Sequence, residues 1–228
     1  MEPTVAASTP QAPASRTRRR LTPQAREAFR NELISIARQV FLTEGYTAVT
    51  IRRITAEAGV TPMTFYWYFD NKDALLTVIW NEILQESAQH CQRQAETHKE
   101  DIDRVAAYFV AFIDYWLAHR DYFRFIFLNE SPHVDFVSLR THLFTQPGVT
   151  QHFDNYRGLA LPLFDGRPDA DEQADRLRIL SMYKAFGFLH IAIGVYGYGE
   201  DEACQQRDMV ESELRHCLAR WRQSSPQA

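Results

Sequence analysis

Between Thr61 and Lys72 the chain gathers side chains suited to touching a polyanion and its bases. Thr61 and Thr64 carry short hydroxyls that both donate and accept hydrogen bonds. Met63, Trp67 and Tyr68 offer apolar and aromatic surface, and Lys72 offers a point charge. Short polar groups bond base edges in a major groove, apolar groups meet a thymine methyl, and an ammonium at a helix start meets a phosphate beside free backbone N–H groups. Upstream, Thr50, Arg52 and Arg53 open another helical stretch and place two guanidiniums where phosphates would neutralise them. For Trp67 and Tyr68 a second reading stays open, namely packing against a neighbouring helix, since aromatics at helical spacing are commonly core.

Such groups face outward together only if two short helices are held at a fixed angle. Thr50 is placed to cap the first, Ile51, Ile54 and Ala58 mark its inner face, and Gly59 ends it. Thr61 is placed to cap the second, Pro62 fits its first position, and Val60 with Phe65 makes a hydrophobic staple. Phe65 and Phe69, four apart, point inward together. Two short helices across a glycine-containing turn make a helix-turn-helix, whose second helix enters the groove. A longer helix completes the three-helix platform: it starts at Thr22-Pro23, is apolar at Phe29, Leu33, Ile36, Ala37, Val40 and Phe41, and stops at Gly45. Asn71 caps a fourth helix with Asp73 in its first turn; Leu75, Leu76, Ile79 and Ile83 give it a buried face, and it runs to about Glu96.

The remainder reads as further helices. Residues 101–119 and 121–129 are dense in aromatics, 131–150 read as loop plus a short helix, and 150–162 as another helix. Asp165-Gly166-Arg167-Pro168 is a turn signal, and two helices over about 170–198 and 202–222 finish the chain. Strand-like alternation is hard to find, so the expected class is all-α: an N-terminal three-helix helix-turn-helix domain plus a C-terminal helical ligand-binding and dimerisation domain. The expected division is a disordered basic tail at 1–21, the DNA-binding domain at 22–72 and the effector-binding and dimerisation domain at 73–228. The tail ends in the cluster Arg16–Arg20, which serves either as an arm on DNA or as a solubilising segment.

Charge is unevenly spread. Residues 16–72 hold ten basic and five acidic side chains, while the whole chain carries a formal −4. A basic front on an acidic body suggests that the front meets a polyanion; the plain alternative is chance clustering. The three cysteines, Cys91, Cys204 and Cys217, form no CxxC pair, which argues against a structural zinc site or a disulfide framework and suits a reducing cytoplasm. The start is Pro/Ala/Thr-rich without an apolar signal core, and the apolar run from Phe186 to Val195 is broken by His190 and short for a bilayer, so no membrane association is expected.

The segment Thr50-Ile-Arg-Arg-Ile-Thr-Ala-Glu-Ala-Gly-Val-Thr-Pro-Met-Thr-Phe-Tyr-Trp-Tyr-Phe-Asp-Asn-Lys-Asp-Ala-Leu-Leu76 resembles the signature of the tetracycline-repressor (TetR) family. The resemblance covers roughly residues 25–85: Thr50 matches the threonine opening the second helix, Tyr66, Tyr68 and Phe69 match its aromatic core, and Lys72 matches the lysine before the fourth helix. It implies that Tyr66 and Lys72 clamp phosphates while Thr61, Pro62, Met63, Thr64 and Trp67 lie at the groove. Met63 stands where many relatives carry a small residue, and Pro62 has no N–H to offer a phosphate.

The resemblance also implies a variable effector-binding body and a homodimer whose last two helices pair with those of a second subunit. Gly187, Ile191, Gly194 and Tyr198 fall on one stripe of the penultimate helix, and Val210, Leu214, Cys217, Leu218 and Trp221 on one stripe of the last. Packing of these stripes within one chain is the alternative. Candidate cavity residues are Trp80, Tyr108, Phe112, Trp116, Phe123, Phe127, Tyr183, Phe186 and His190, each of which also suits simple core. The expected partners are double-stranded operator DNA and a small hydrophobic or aromatic effector. No catalytic or metal-binding group and no cofactor is expected, because P-loop, GxGxxG, GxSxG and HExxH patterns are all missing. A helical carrier without DNA binding is the competing class; it explains the aromatic body but not the basic front.

Overall fold

The computed structural model describes residues 22–128 and 145–223, and every described element is helical. The expected tail at 1–21 and most of the expected loop at 131–150 lie outside the described residues.

The first three helices build the head. Helix α1 (Pro23–Glu44) begins where the Thr22 hydroxyl oxygen accepts from the Ala25 N–H at 3.2 Å, and it buries Leu33, Ile34, Ala37, Val40 and Phe41. Helix α2 (Ile51–Glu57) is capped by Thr50, whose hydroxyl oxygen accepts from the Arg53 N–H at 3.1 Å. Gly59 then turns the chain with φ of +65°, a conformation in which any side chain is strained. Helix α3 (Pro62–Phe65) is a single turn, extended by turns in which the Trp67, Tyr68 and Phe69 N–H groups bond back to Thr64 and Phe65 carbonyls. Phe65 is fully buried and Phe69 is 5.5 Å from it, ring to ring, so the inner face anticipated from their spacing forms.

Helix α4 (Lys72–Glu96) links head to body. Asn71 caps it, its side-chain oxygen accepting from the Ala74 N–H at 2.8 Å. Leu75, Leu76, Ile79, Ile83 and Leu84 are buried along it. Around α4 pack α5 (Asp101–Ala118) and α7 (Pro147–Ala160). Pro147 and Gly148 open α7 instead of lying in a loop. There the Gly148 N–H donates to the Asn81 side chain at 2.9 Å, and a Cβ on Gly148 would come within 2.7 Å of the Leu84 Cβ. The glycine is thus required by close approach of two helices.

Between them lies α6 (Arg120–Phe123), which widens into a π-turn over Arg124–Leu128. Helix α8 (Ala170–Leu189) widens likewise over His190–Val195. The rod Ala170–Val195 is long and apolar enough, by length and composition alone, to cross a membrane, a test that core helices of other proteins also pass. Its buried residues, Ala174, Leu177, Ser181, Ala185, Phe188 and Leu189, pack into the core beside α5 and α7.

Helix α9 (Glu200–Gln223) packs on α5. The stripe assigned to dimerisation is therefore divided. Leu214 and Leu218 are sealed in their own chain, and Trp221 lies 6.1 Å from Phe164, ring to ring. Gly194 is exposed, and a Cβ on it would come within 3.0 Å of the Leu128 side chain. Arg120 donates to the carbonyl of Tyr198, which is half-buried. Val210 and Cys217 are also half-buried, Gly187 has open space where a Cβ would project, and Ile191 is exposed.

Candidate nucleic-acid interface and internal cavity

Because Phe65 and Phe69 are pinned inside, the intervening residues are driven outward. Met63, Tyr66 and Trp67 are 65%, 51% and 59% exposed, high values for large apolar or aromatic groups, matched in the body by Tyr183, Val195 and Tyr196. Thr61 and Pro62 are exposed beside them and Thr64 is half-buried. The Thr61 hydroxyl does not cap α3; it lies 3.3 Å from the Thr64 hydroxyl, and the pair presents joined donors and acceptors on one edge. An outward strip of hydroxyls, a thioether and two aromatics is the surface that base edges and sugar-phosphate walls can contact.

The remaining predicted contacts fare unevenly. Tyr68 is turned back onto α1: its ring is 5.2 Å from Phe29, and the Arg26 guanidinium lies 5.8 Å from its centre. Arg26 also donates to the Trp67 carbonyl at 3.0 Å, so α1 clamps the end of the strip. Arg53 is held by two carboxylates, Glu44 at 2.8 Å and Glu57 at 3.0 Å, whereas Arg52 is exposed. The Thr50 hydroxyl serves as a cap. Lys72 has its ammonium 4.0 Å from the Tyr46 ring centre, and burial pushes its pKa down. Sequence reasoning missed Arg26 and Tyr46, although a basic residue on the first helix was a visible signal.

The body holds a half-open cavity of about 400 Å³ between α4, α5, α7 and α8. Of the nine predicted lining residues, Tyr108, Phe112, Phe127, Tyr183, Phe186 and His190 do line it. Trp80, Trp116 and Phe123 do not; they are buried behind it, Trp80 against Phe125 and Trp116 against Phe123 and Phe127. Sequence reasoning missed His152, Tyr156, Arg178 and Ser181, which supply most of the wall's polar chemistry. Tyr156 donates to the Ser181 hydroxyl at 2.6 Å, and the Tyr108 hydroxyl is 2.8 Å from His152 Nδ1. Burial lowers the His152 pKa to about 4, so its ring is neutral. Burial likewise pushes the Tyr108 and Tyr156 hydroxyls far up. No group of three or more His, Cys, Asp or Glu able to hold a metal ion occurs among the described residues.

A continuous set of contacts joins cavity to head. In the π-turn, Ile126 and Phe127 line the cavity while Phe125 touches the opposite side. The Phe125 ring centre is 4.4 Å from Phe41 on α1, and 5.2 Å from both Tyr46 and Trp80. Tyr46 in turn faces Lys72 at the start of α4. Beside this wedge, Arg38 on α1 donates to Tyr122 at 2.9 Å and to both Glu86 oxygens at 2.8 and 2.7 Å, which raises the Arg38 pKa.

Residues 33–79 match the family model described as "Bacterial regulatory proteins, tetR family". The head thus resembles that of tetR-family regulators over these residues. Curated relatives that resemble this chain include the HTH-type transcriptional regulator HbdR of Aromatoleum sp. (strain CIB), 32% identical over 83 residues, covering 36% of this chain and 36% of that protein. The HTH-type transcriptional repressor DhaR of Mycobacterium sp. (strain GP1) is 34% identical over 95 residues, 40% of this chain and 46% of that protein. Both matches span less than half of those relatives' length. Among solved structures, a TetR/AcrR-family regulator of Thermobifida fusca YX-ER1 superposes with a TM-score of 0.60 at 18% identity, covering 82% of this chain and 97% of that one. The likeness of fold therefore extends from the tetR-like head through the helical body.

Proposed function

We propose that this chain is a sequence-specific DNA-binding transcription regulator, a repressor that leaves its operator when a small apolar or aromatic effector enters the body cavity. The observation that carries the reading is the outward strip of Met63, Tyr66 and Trp67 on a tetR-like head, anchored by buried Phe65 and Phe69. Residues 22–72 act as the DNA-binding domain and residues 73–228 as the effector and dimerisation domain, in the cytoplasm with the DNA. Thr61, Pro62, Met63, Thr64 and Trp67 enter the groove, and Tyr66, Lys72 and Arg52 take phosphates. Pairing of Arg53 with Glu44 and Glu57, and of Tyr68 with α1, gives those two residues supporting roles.

Two copies are needed, with their heads about one DNA turn, roughly 34 Å, apart. The surface proposed for pairing runs over α8 and its π-turn, where Leu180, Tyr183, Ile191, Val195 and Tyr196 are exposed, and continues to Met209 on α9. An effector that displaces Ile126 and Phe127 also moves Phe125, which bears on Phe41 and Tyr46. That shift reorients α1 and the Lys72 end of α4, and so the head spacing. Release is set by the difference in effector affinity between the DNA-competent and DNA-free states, about 1.4 kcal/mol for each tenfold.

Selection of bound duplexes from a random pool, followed by salt titration, tests this function. The expected result is enrichment of a twofold-symmetric site and a steep fall of log affinity with log salt. A chain that binds apolar molecules but enriches no duplex is a carrier instead.

A further inference from the structure

Resting on the reading of the cavity as an effector site, we infer that it selects an uncharged, largely apolar molecule bearing a hydroxyl, and that His152 is the residue that recognises it. Most of the wall is carbon, including Leu84, Phe109, Phe112, Phe127, Val149 and Phe186. Its buried polar groups are chiefly spent on one another, Tyr156 on Ser181 and Tyr108 on His152 Nδ1. His152 Nε2 is different: it is buried and has no hydrogen-bond partner. The Leu84 carbonyl favours a protonated ring but stands outside hydrogen-bond geometry. A buried nitrogen left unsatisfied is costly, so an occupant that satisfies it binds about tenfold or more tighter than one that does not.

The tautomer decides what Nε2 asks for. If Tyr108 donates to Nδ1, Nε2 carries the proton and needs an acceptor; if Nδ1 donates to Tyr108, Nε2 needs a donor. A hydroxyl answers both cases, and a carbonyl or an ammonium only one. Charge is disfavoured on three counts. Among the described residues no acid lines the wall to hold a cation. The Arg178 guanidinium, a fixed positive charge on the wall, is 3.4 Å from Asp175 and lies over the Phe153 ring at 4.7 Å. His190, the second histidine of the wall, is exposed and bonds the Phe186 carbonyl through Nδ1 at 2.9 Å. Seating a carboxylate among these rings therefore exchanges its hydration for at most one neutral N–H donor, His152 Nε2.

Calorimetric titration of the full chain with 2-naphthol, naphthalene and 2-naphthoate at neutral pH, without DNA, tests the inference. These probes share one ring system and differ at one substituent. The expected result is 2-naphthol about tenfold or more tighter than naphthalene, with 2-naphthoate weaker than 2-naphthol. In His152→Leu the hydroxyl preference disappears while naphthalene affinity holds; in Tyr108→Phe the preference survives. Equal affinity of 2-naphthol and naphthalene for the unmodified chain overturns the inference, whatever the variants do. So does tightest binding of 2-naphthoate, absence of 2-naphthol binding, or a preference that survives His152→Leu. Because the titrations contain no DNA, their failure leaves the DNA-binding reading standing, and failure of duplex selection leaves them interpretable.

Discussion

His152 should make this fold sensitive to acid. Its buried ring titrates near about 4, against roughly 6.5 for an imidazole in an unfolded chain. Between those values the unfolded chain binds more protons, so stability falls as pH drops from about 6.5 towards 4 and is unaffected above that window. The full effect is about 3 kcal/mol. Urea titrations at several pH values should show His152→Gln with a shallower acid limb than the parent; identical limbs would remove His152 from the cause. At the opposite end of the molecule, Trp67→Ala should lower duplex affinity about tenfold or more while melting as the parent does, because the ring is 59% exposed. A large drop in melting temperature would mean that the indole holds the head together. Residue types pointed to Trp67 but not to His152, and they could not show pairing. Arg53 has the right charge for a phosphate, and only its distance from Glu44 and Glu57 shows it occupied. Lys72 stands at a helix start, and only the fold reveals the Tyr46 ring beneath it.

At the scale of elements, the head was the most legible part, because local chemistry defines it. Thr22, Thr50 and Asn71 cap the helices that their positions announced, and Phe65 and Phe69 fall inward at their spacing of four. In the body, nearly every helix is apolar on more than one face, so periodicity cannot say which aromatic meets the cavity. Trp80, Trp116 and Phe123 were as plausible as Phe112 or Phe127, and packing alone separates them. The same ambiguity sent Leu214 and Leu218 to a partner subunit when they pack inside their own. The π-turn Arg124–Leu128 left no sequence signal, yet it is what presents Phe127 to the cavity and Phe125 to the head. Accordingly Phe125→Ala should leave effector and duplex affinities nearly intact when each is measured alone. The factor by which effector weakens duplex binding should shrink several-fold, a loss within the usual range of coupling energies of about 1–3 kcal/mol. Unchanged coupling would route the signal elsewhere. Gly148→Ala should destabilise the chain by about 1–3 kcal/mol, since the added methyl meets Leu84 and Asn81 at the crossing of α4 and α7. Thermal unfolding checks this, and a neutral result would mean that the two helices separate easily.

For the molecule as a whole, the proposed function assigns the basic head to DNA and the exposed apolar face of α8 to a second copy. Replacing both Ile191 and Val195 by Glu should yield a folded monomer by sedimentation, with duplex affinity falling steeply as one head alone holds only a half-site. A dimer that persists would place the pairing surface elsewhere. The central claim is that the exposed strip from Thr61 to Trp67 reads DNA. It is tested most directly by selecting duplexes from a random pool with the parent chain, then measuring the enriched site against Thr64→Ala and Trp67→Ala across a range of salt. The account predicts a twofold-symmetric site, log affinity falling linearly with log salt, and altered sequence preference in the variants with no loss of fold. Affinity and preference unchanged in both variants would contradict it.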